Sequence, residues 1–145
     1  MRAVVQRVTS GCVKVEGNTI ASIQHGFVIL LGVADGDSEQ KADALAKKIA
    51  NLRVFSDHEG KMNLSLLDTG GSAIVVSQFT LMADTRKGNR PSFIAAAAPE
   101  KAAPLVDYFI GQLAGYGINT QAGQFAAHMA VDICNDGPVK LLFDP

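Results

Sequence analysis

From Gly71 to Leu81 the chain opens on a glycine turn signal and runs through Ala73-Ile74-Val75-Val76 without a charge. It turns polar only at Ser77-Gln78, before Phe79-Thr80-Leu81. A short β-branched apolar run bounded by turn residues is a strand buried on both faces, and the rest of the chain must cover it. Buried hydroxyls and amides cost free energy unless they are paired. Ser77, Gln78 and Thr80 therefore have backbone partners, a chemical role, or both.

The 145 residues are one domain's worth, residues 1–145, long enough to bury a substantial core. Hydrophobic residues make up 48%, which excludes a disordered chain. Thirteen basic and fourteen acidic residues leave a net charge of −1, so no global field attracts nucleic acid and any such contact must be local. Cys12 and Cys134 have neither metal spacing nor a dense disulfide framework. With no signal peptide at Met1 they read as reduced thiols of a cytoplasmic protein. The apolar run from Phe27 to Val33 is too short to span a membrane.

Strands are expected at Ala3–Val8, Cys12–Glu16 and Thr19–Ile23, separated by turns at Ser10-Gly11 and Gly17-Asn18. A central strand follows from Phe27 to Val33, completing an antiparallel meander. Arg7 is out of place in this Val-rich setting: it is either an edge charge or a planar fork holding something in position. Ala42, Leu45, Ile49 and Leu52 form one face of a helix from about Ser38 to Leu52. Leu105, Phe109 and Leu113 mark a second helix, beginning at Pro99 or, because an interior proline is awkward, at Pro104. His58 falls in turn chemistry, and Met62-Asn63-Leu64 reads as an edge strand. Phe125, Ala127, Met129, Val131 and Ile133 alternate as one face of a strand that breaks at Asn135-Asp136-Gly137-Pro138 and resumes from Val139 to Phe143. About eight strands and two helices give an α+β, antiparallel-rich, barrel-like sheet with helices packed on it.

The chemistry-bearing motifs are few. There is no P-loop, no Gly-x-Gly-x-x-Gly after a strand, no Cys-x-x-Cys and no His-Glu-x-x-His. Ser77, His128 and Asp132 make a triad only on paper, since nothing in their spacing supports one. What remains is a set of backbone N–H donors at a strand end, with a general base from elsewhere, such as the substrate itself. Arg86, Lys87 and Arg90 form the tightest basic cluster, in a long loop; it is either a solvated surface or a phosphate contact. Asp136-Gly137 alone reads as a hairpin turn. Pro138 adds more: it removes a ladder N–H at the start of a strand, and a cis Gly137–Pro138 bond would aim two carbonyls one way beside a bare Cα.

Ser77-Gln78-Phe79-Thr80-Leu81 and Asn135-Asp136-Gly137-Pro138-Val139 together resemble the D-aminoacyl-tRNA deacylase family. Val5-Gln6-Arg7-Val8, Leu31-Gly32-Val33, Phe55-Ser56-Asp57 through Asn63, Arg90-Pro91-Ser92-Phe93 and Asn119-Thr120-Gln121 extend the resemblance along the chain in order. It implies hydrolysis of the ester joining a D-amino acid, or mischarged glycine, to the 3′-terminal adenosine of tRNA, by a homodimer without metal or other cofactor. It also implies roles. Ser77, Gln78, Phe79 and Thr80 line the ester site, and N–H groups near Phe79 and Thr80 bind the oxyanion. Phe125 and Met129 contact the adenine, for which core packing is the competing reading. Gly137 and Pro138, supplied by the partner subunit, reject L side chains, and Arg7 braces their loop.

In two respects the resemblance leaves the chemistry open. Thr80 could act as a nucleophile, but no base within the motif activates it; water assisted by the 2′-hydroxyl of the tRNA fits better. Lys140 stands where the family usually has threonine, at the base of the filter loop, and His128 and Asn89 are local variants. The alternatives are a Ser77 or Thr80 esterase and a non-catalytic dimer that binds the tRNA end through Arg86, Lys87 and Arg90.

Overall fold

The computed structural model describes residues 1–144. In chain order it contains β1 (Arg2–Val15), β2 (Asn18–Ile23), β3 (Gly26–Gly32), α1 (Glu39–Ala50), β4 (Phe55–Ser56), β5 (Met62–Leu64), α2 (Leu66–Thr69) and β6 (Ser72–Ser77). A 3-10 turn (Phe79–Met82), α3 (Pro99–Gly115), β7 (Asn119–Ala122) and β8 (Ala130–Phe143) complete it. The main sheet has the order β2-β1-β3-β6-β7, with β8 on the other edge of β1. β4 and β5 pair separately.

The α+β class holds, but half of the sheet is not a meander. β1 pairs antiparallel with β2, β3 and β8, whereas β3–β6 and β6–β7 are parallel. Parallel neighbours need a crossover, and α1 and α3 supply it between β3 and β6 and between β6 and β7. β6 therefore lies in the middle of the sheet, buried on both sides as its composition demands. Ala73 and Val75 join the core beneath the helices, with Phe27, Ile49, Phe109 and Leu113. Ile74 and Val76 join a second core inside the curled sheet, with Val8, Val13, Ile23 and Val28.

Several boundaries differ from the sequence expectation. β1 is one strand of 14 residues, not two. Gly11 is there for close approach, not for a turn: a Cβ added to it would lie 2.6 Å from Val28 Cγ2. Phe125–Met129 is not extended. Ala127 N–H donates to Gln124 O in a turn in which Ala126 has φ of 61°, and β8 begins only at Ala130. Asn135–Pro138 does not end a strand; it bulges out of a continuous β8. Pro104 neither starts nor breaks α3. It is exposed, on the side where the carbonyl it leaves unpaired can be solvated. A further four-residue helix, α2, is closed by a capping box between Ser65 and Asp68. No helix among the described residues is long and apolar enough to cross a membrane.

Candidate active site

β6 carries the chain out of the core and delivers Ser77 at its end. Gln78 N–H still donates to Leu31 O at 2.8 Å, so the β3 ladder fixes the first residue beyond the strand. The backbone then winds into the 3-10 turn, whose leading N–H groups have no partner within it. Neither Phe79 N–H nor Thr80 N–H donates to a main-chain or side-chain acceptor among the described residues. Ser77 and Gln78 are half-buried, while Phe79 and Thr80 are exposed. Gln78 Nε2 donates to Thr80 Oγ1. No carboxylate or imidazole is hydrogen-bonded to either hydroxyl among the described residues, so neither Ser77 nor Thr80 has an activating base at hand.

Beside this turn lies a cavity of about 610 Å³. Ser77, Gln78 and Phe79 form one side, Phe125 and Met129 another, and Val76, Val106 and Phe93 supply apolar wall. Phe79 stacks edge-on against Phe93 with ring centroids 5.1 Å apart. Five of the residues singled out from sequence thus converge on one cleft, although Phe125 and Met129 reach it from a turn rather than a strand. Phe93 and His128 also line it. Phe93 belongs to a stretch recognisable in the sequence, but nothing local marks its ring as cleft-facing. His128 is the one ionisable residue in the lining among the described residues.

Gly137, Pro138 and Arg7 lie elsewhere. Gly137 and Pro138 are exposed on the β8 bulge, joined by a cis peptide bond, and do not line the cleft of their own chain. Arg7 is 8% exposed beneath them. Its Nη1 donates to Val54 O, and its Nε lies 3.0 Å from Asp136 Oδ2, an ion pair in which the N–H is not aligned for a hydrogen bond. Lys140 is exposed at the base of the bulge, opposite Gln6. Asn135 and Asp136, part of the bulge's support, had no role assigned from sequence, because their contacts join segments more than a hundred residues apart.

The basic loop is more ordered than its composition suggests. Asp84 and Ser92 exchange main-chain hydrogen bonds of 2.8 and 2.9 Å that close it. Arg86 is committed to Asp84 through Nε–Oδ1 at 2.9 Å and Nη2–Oδ2 at 2.7 Å. Those hydrogen bonds hold the Asp84 carboxyl well below the usual carboxylate range. Lys87, Arg90 and Asn89 are exposed, and neither Lys87 nor Arg90 has an ion-pair partner among the described residues. Cys12 and Cys134 are free thiols. No three His, Cys, Asp or Glu side chains among the described residues are grouped to hold a metal ion.

The fold and site define an α+β protein whose apolar cleft opens at the carboxyl end of a central parallel strand, with backbone donors and amides at its rim in place of a charged base. The model of the family described as D-Tyr-tRNA(Tyr) deacylase matches residues 4–144. D-aminoacyl-tRNA deacylases of Chloroflexus aurantiacus and Roseiflexus castenholzii are each 58% identical over 144 residues, covering 99% of this chain and 90% and 92% of theirs. That of Lacticaseibacillus casei is 53% identical, covering 99% and 97%. A solved structure described as c-Myc DNA Unwinding Element Binding Protein superposes with a TM-score of 0.94 at 39% identity, covering 100% of this chain and 99% of that one. A probable eukaryotic D-amino acid tRNA deacylase shares the fold, with a TM-score of 0.84 at 17% identity over 99% and 98% of the two chains. The chain belongs to the D-Tyr-tRNA(Tyr) deacylase family and is an enzyme of the hydrolase class.

Proposed function

We propose that the chain hydrolyses the ester between a D-amino acid and the 3′-terminal adenosine of tRNA, and that it also releases glycine from mischarged tRNA. The observation that carries this reading is the convergence of Ser77, Gln78 and Phe79 with Phe125 and Met129 around one cleft, at a turn whose first N–H groups are free. The apolar wall takes the adenine and the aminoacyl group, with Phe125 and Met129 against the base. Water adds to the ester carbonyl and the N–H groups of Phe79 and Thr80 hold the oxyanion. The 2′-hydroxyl of the tRNA relays the proton to the departing 3′-oxygen. The products are the free amino acid and tRNA. No resident metal or other cofactor enters these steps.

Gly137 and Pro138 act as the chirality filter of a second copy. Their exposure outside their own cleft supports this, as does the place of β8 in the sheet. Among the described residues β8 pairs only with β1, which leaves a 14-residue edge, including Leu142 at 66% exposure, for a homodimer to cover. In the partner's cleft the filter carbonyls fill the space an L side chain needs, while a D side chain or the hydrogen of glycine passes. Arg7 braces the loop, and Lys87 and Arg90, with Arg86 held beside them, meet phosphates of the acceptor end. Residues 1–145 serve as one catalytic domain in a tRNA-dependent cytoplasmic reaction.

Deacylation of D-Tyr-tRNA beside L-Tyr-tRNA, with a chelator present, tests the reading. Loss of the D-ester alone is expected. Loss of both would refute the filter, and loss of neither would refute the hydrolase and favour tRNA-end binding through Lys87 and Arg90.

A further inference from the structure

The bulge that carries Gly137 and Pro138 has a built neck. Gln6 pairs with Lys140 and Val8 with Asn135, so the four residues 136–139 stand against Arg7 alone. Among the described residues one side chain hydrogen-bonds across that neck. Asn135 Nδ2 donates to Val139 O at 3.1 Å, across the loop, and to Arg7 O at 2.8 Å, on β1. Its Oδ1 accepts from Nε2 of Gln6, itself 6% exposed, at 3.4 Å. This sets the amide's orientation: both main-chain partners are carbonyls, so the group facing them must bring two N–H donors. A carboxylate of the same shape would turn oxygen against oxygen twice.

The Arg7 side chain braces the loop from beneath, by a different contact. Its guanidinium lies under the loop, bonded to Val54 O and ion-paired with Asp136, and makes no hydrogen bond to Asn135 or Val139 among the described residues. We infer that Asn135, oriented by Gln6, is the positioning residue that fixes the direction of the Gly137 and Pro138 carbonyls and thereby the discrimination between D and L esters. This rests on the proposed filter role of those carbonyls. Asn135 is half-buried, does not line the cleft and acts only through the loop.

Asn135→Asp keeps the volume and removes both donors. Two readouts separate the clamp from the filter. Amide hydrogen exchange at Gly137 and Val139 reports loop order whatever the reaction is, and the ratio of D-Tyr-tRNA to L-Tyr-tRNA deacylation reports selectivity. The variant is expected to exchange about tenfold faster at these amides and to lose about tenfold in the ratio, mainly through a gain on the L-ester. Wild-type exchange, or faster exchange with an unchanged ratio, overturns the inference. Should Asn135→Asp not fold, Gln6→Leu decides. It is expected to move both readouts the same way by about threefold, and unchanged values overturn the inference. If the wild-type protein leaves the D-ester intact, the proposed function itself fails, while the exchange data still tell whether Asn135 clamps the loop.

Discussion

Gln121 on β7 pairs through its side chain with both main-chain groups of Ser22 on β2. Ser22 N–H donates to Oε1, and Nε2 donates to Ser22 O, each at 2.8 Å. Among the described residues no ladder joins β2 and β7, the two ends of the sheet order, so one carboxamide stands where a neighbouring strand's peptide would be. Gln121→Leu is expected to lower stability by about 1–2 kcal/mol, two partly solvated hydrogen bonds' worth. Urea unfolding reads this as a lower midpoint at unchanged slope. An unshifted midpoint would mean that packing alone holds the two edges together.

Gly137→Ala should damage the proposed filter. Gly137 has φ of 115°, and an added Cβ would lie 2.9 Å from Arg7 Nη2 and 2.9 Å from Val139 Cγ2. Those side chains or the loop must shift, and the positive φ itself strains an alanine, at about 1–3 kcal/mol. We expect a loss of D-ester turnover of about tenfold or more, with the fold retained by circular dichroism. Full activity would remove the bulge from the reaction.

Thr80→Ala should remain active. The Thr80 hydroxyl accepts from Gln78 and has no base beside it among the described residues. A drop in kcat/KM of less than about tenfold is expected, whereas loss of a true nucleophile costs about 10⁴-fold or more. A collapse of that larger size, with an acyl-enzyme trapped by rapid quench, would make Thr80 the nucleophile.

Asp37 should set part of the acid sensitivity. Its side chain is 1% exposed and meets the Met1 ammonium at 2.7 Å, Lys41 Nζ at 3.2 Å and Ala34 N–H at 2.7 Å. Burial pushes the carboxyl up, but hydrogen bonds from the ammonium, Ala34 N–H and Lys41 outweigh it and hold the group below its ordinary value. A pKa depressed by folding contributes stability above the unfolded value of about 3.9, lost as pH falls through the folded value. Asp37→Asn should flatten that acid limb and cost about 3 kcal/mol near neutrality by leaving a buried ammonium poorly paired. Thermal unfolding as a function of pH checks both.

Lys87 and Arg90 should contribute more to tRNA affinity than Arg86, whose charge is already met by Asp84. Replacing either with Gln is expected to raise KM and leave kcat near its original value. The slope of log affinity against log salt should become shallower by about 0.7–0.9 for each phosphate left without its cation. An equal effect from Arg86→Gln would show that its pair with Asp84 opens on RNA.

Much of this site was legible because its motifs are local. Ser77-Gln78-Phe79-Thr80 follow directly from a strand whose burial is written in Ala73-Ile74-Val75-Val76. Phe125 and Met129 both line the cleft, but not as one face of a strand: alternation suggested a strand where Ala126 turns through positive φ. Gly11 read as a turn because a glycine's need for space and its need for a special φ look alike in sequence.

By itself the sequence determined the central strand, the two main helices, the α+β class and the run Ser77-Gln78-Phe79 that reaches the cleft, because period and burial act over a few neighbours. Tertiary structure alone decided that β3, β6 and β7 run parallel, that Gln121 closes the sheet on Ser22, and that Asn135 and Arg7 hold a loop that does not line the cleft of its own chain. Each depends on groups dozens to more than a hundred residues apart, brought together only when the core is buried. No local propensity encodes which carbonyl a distant amide will meet.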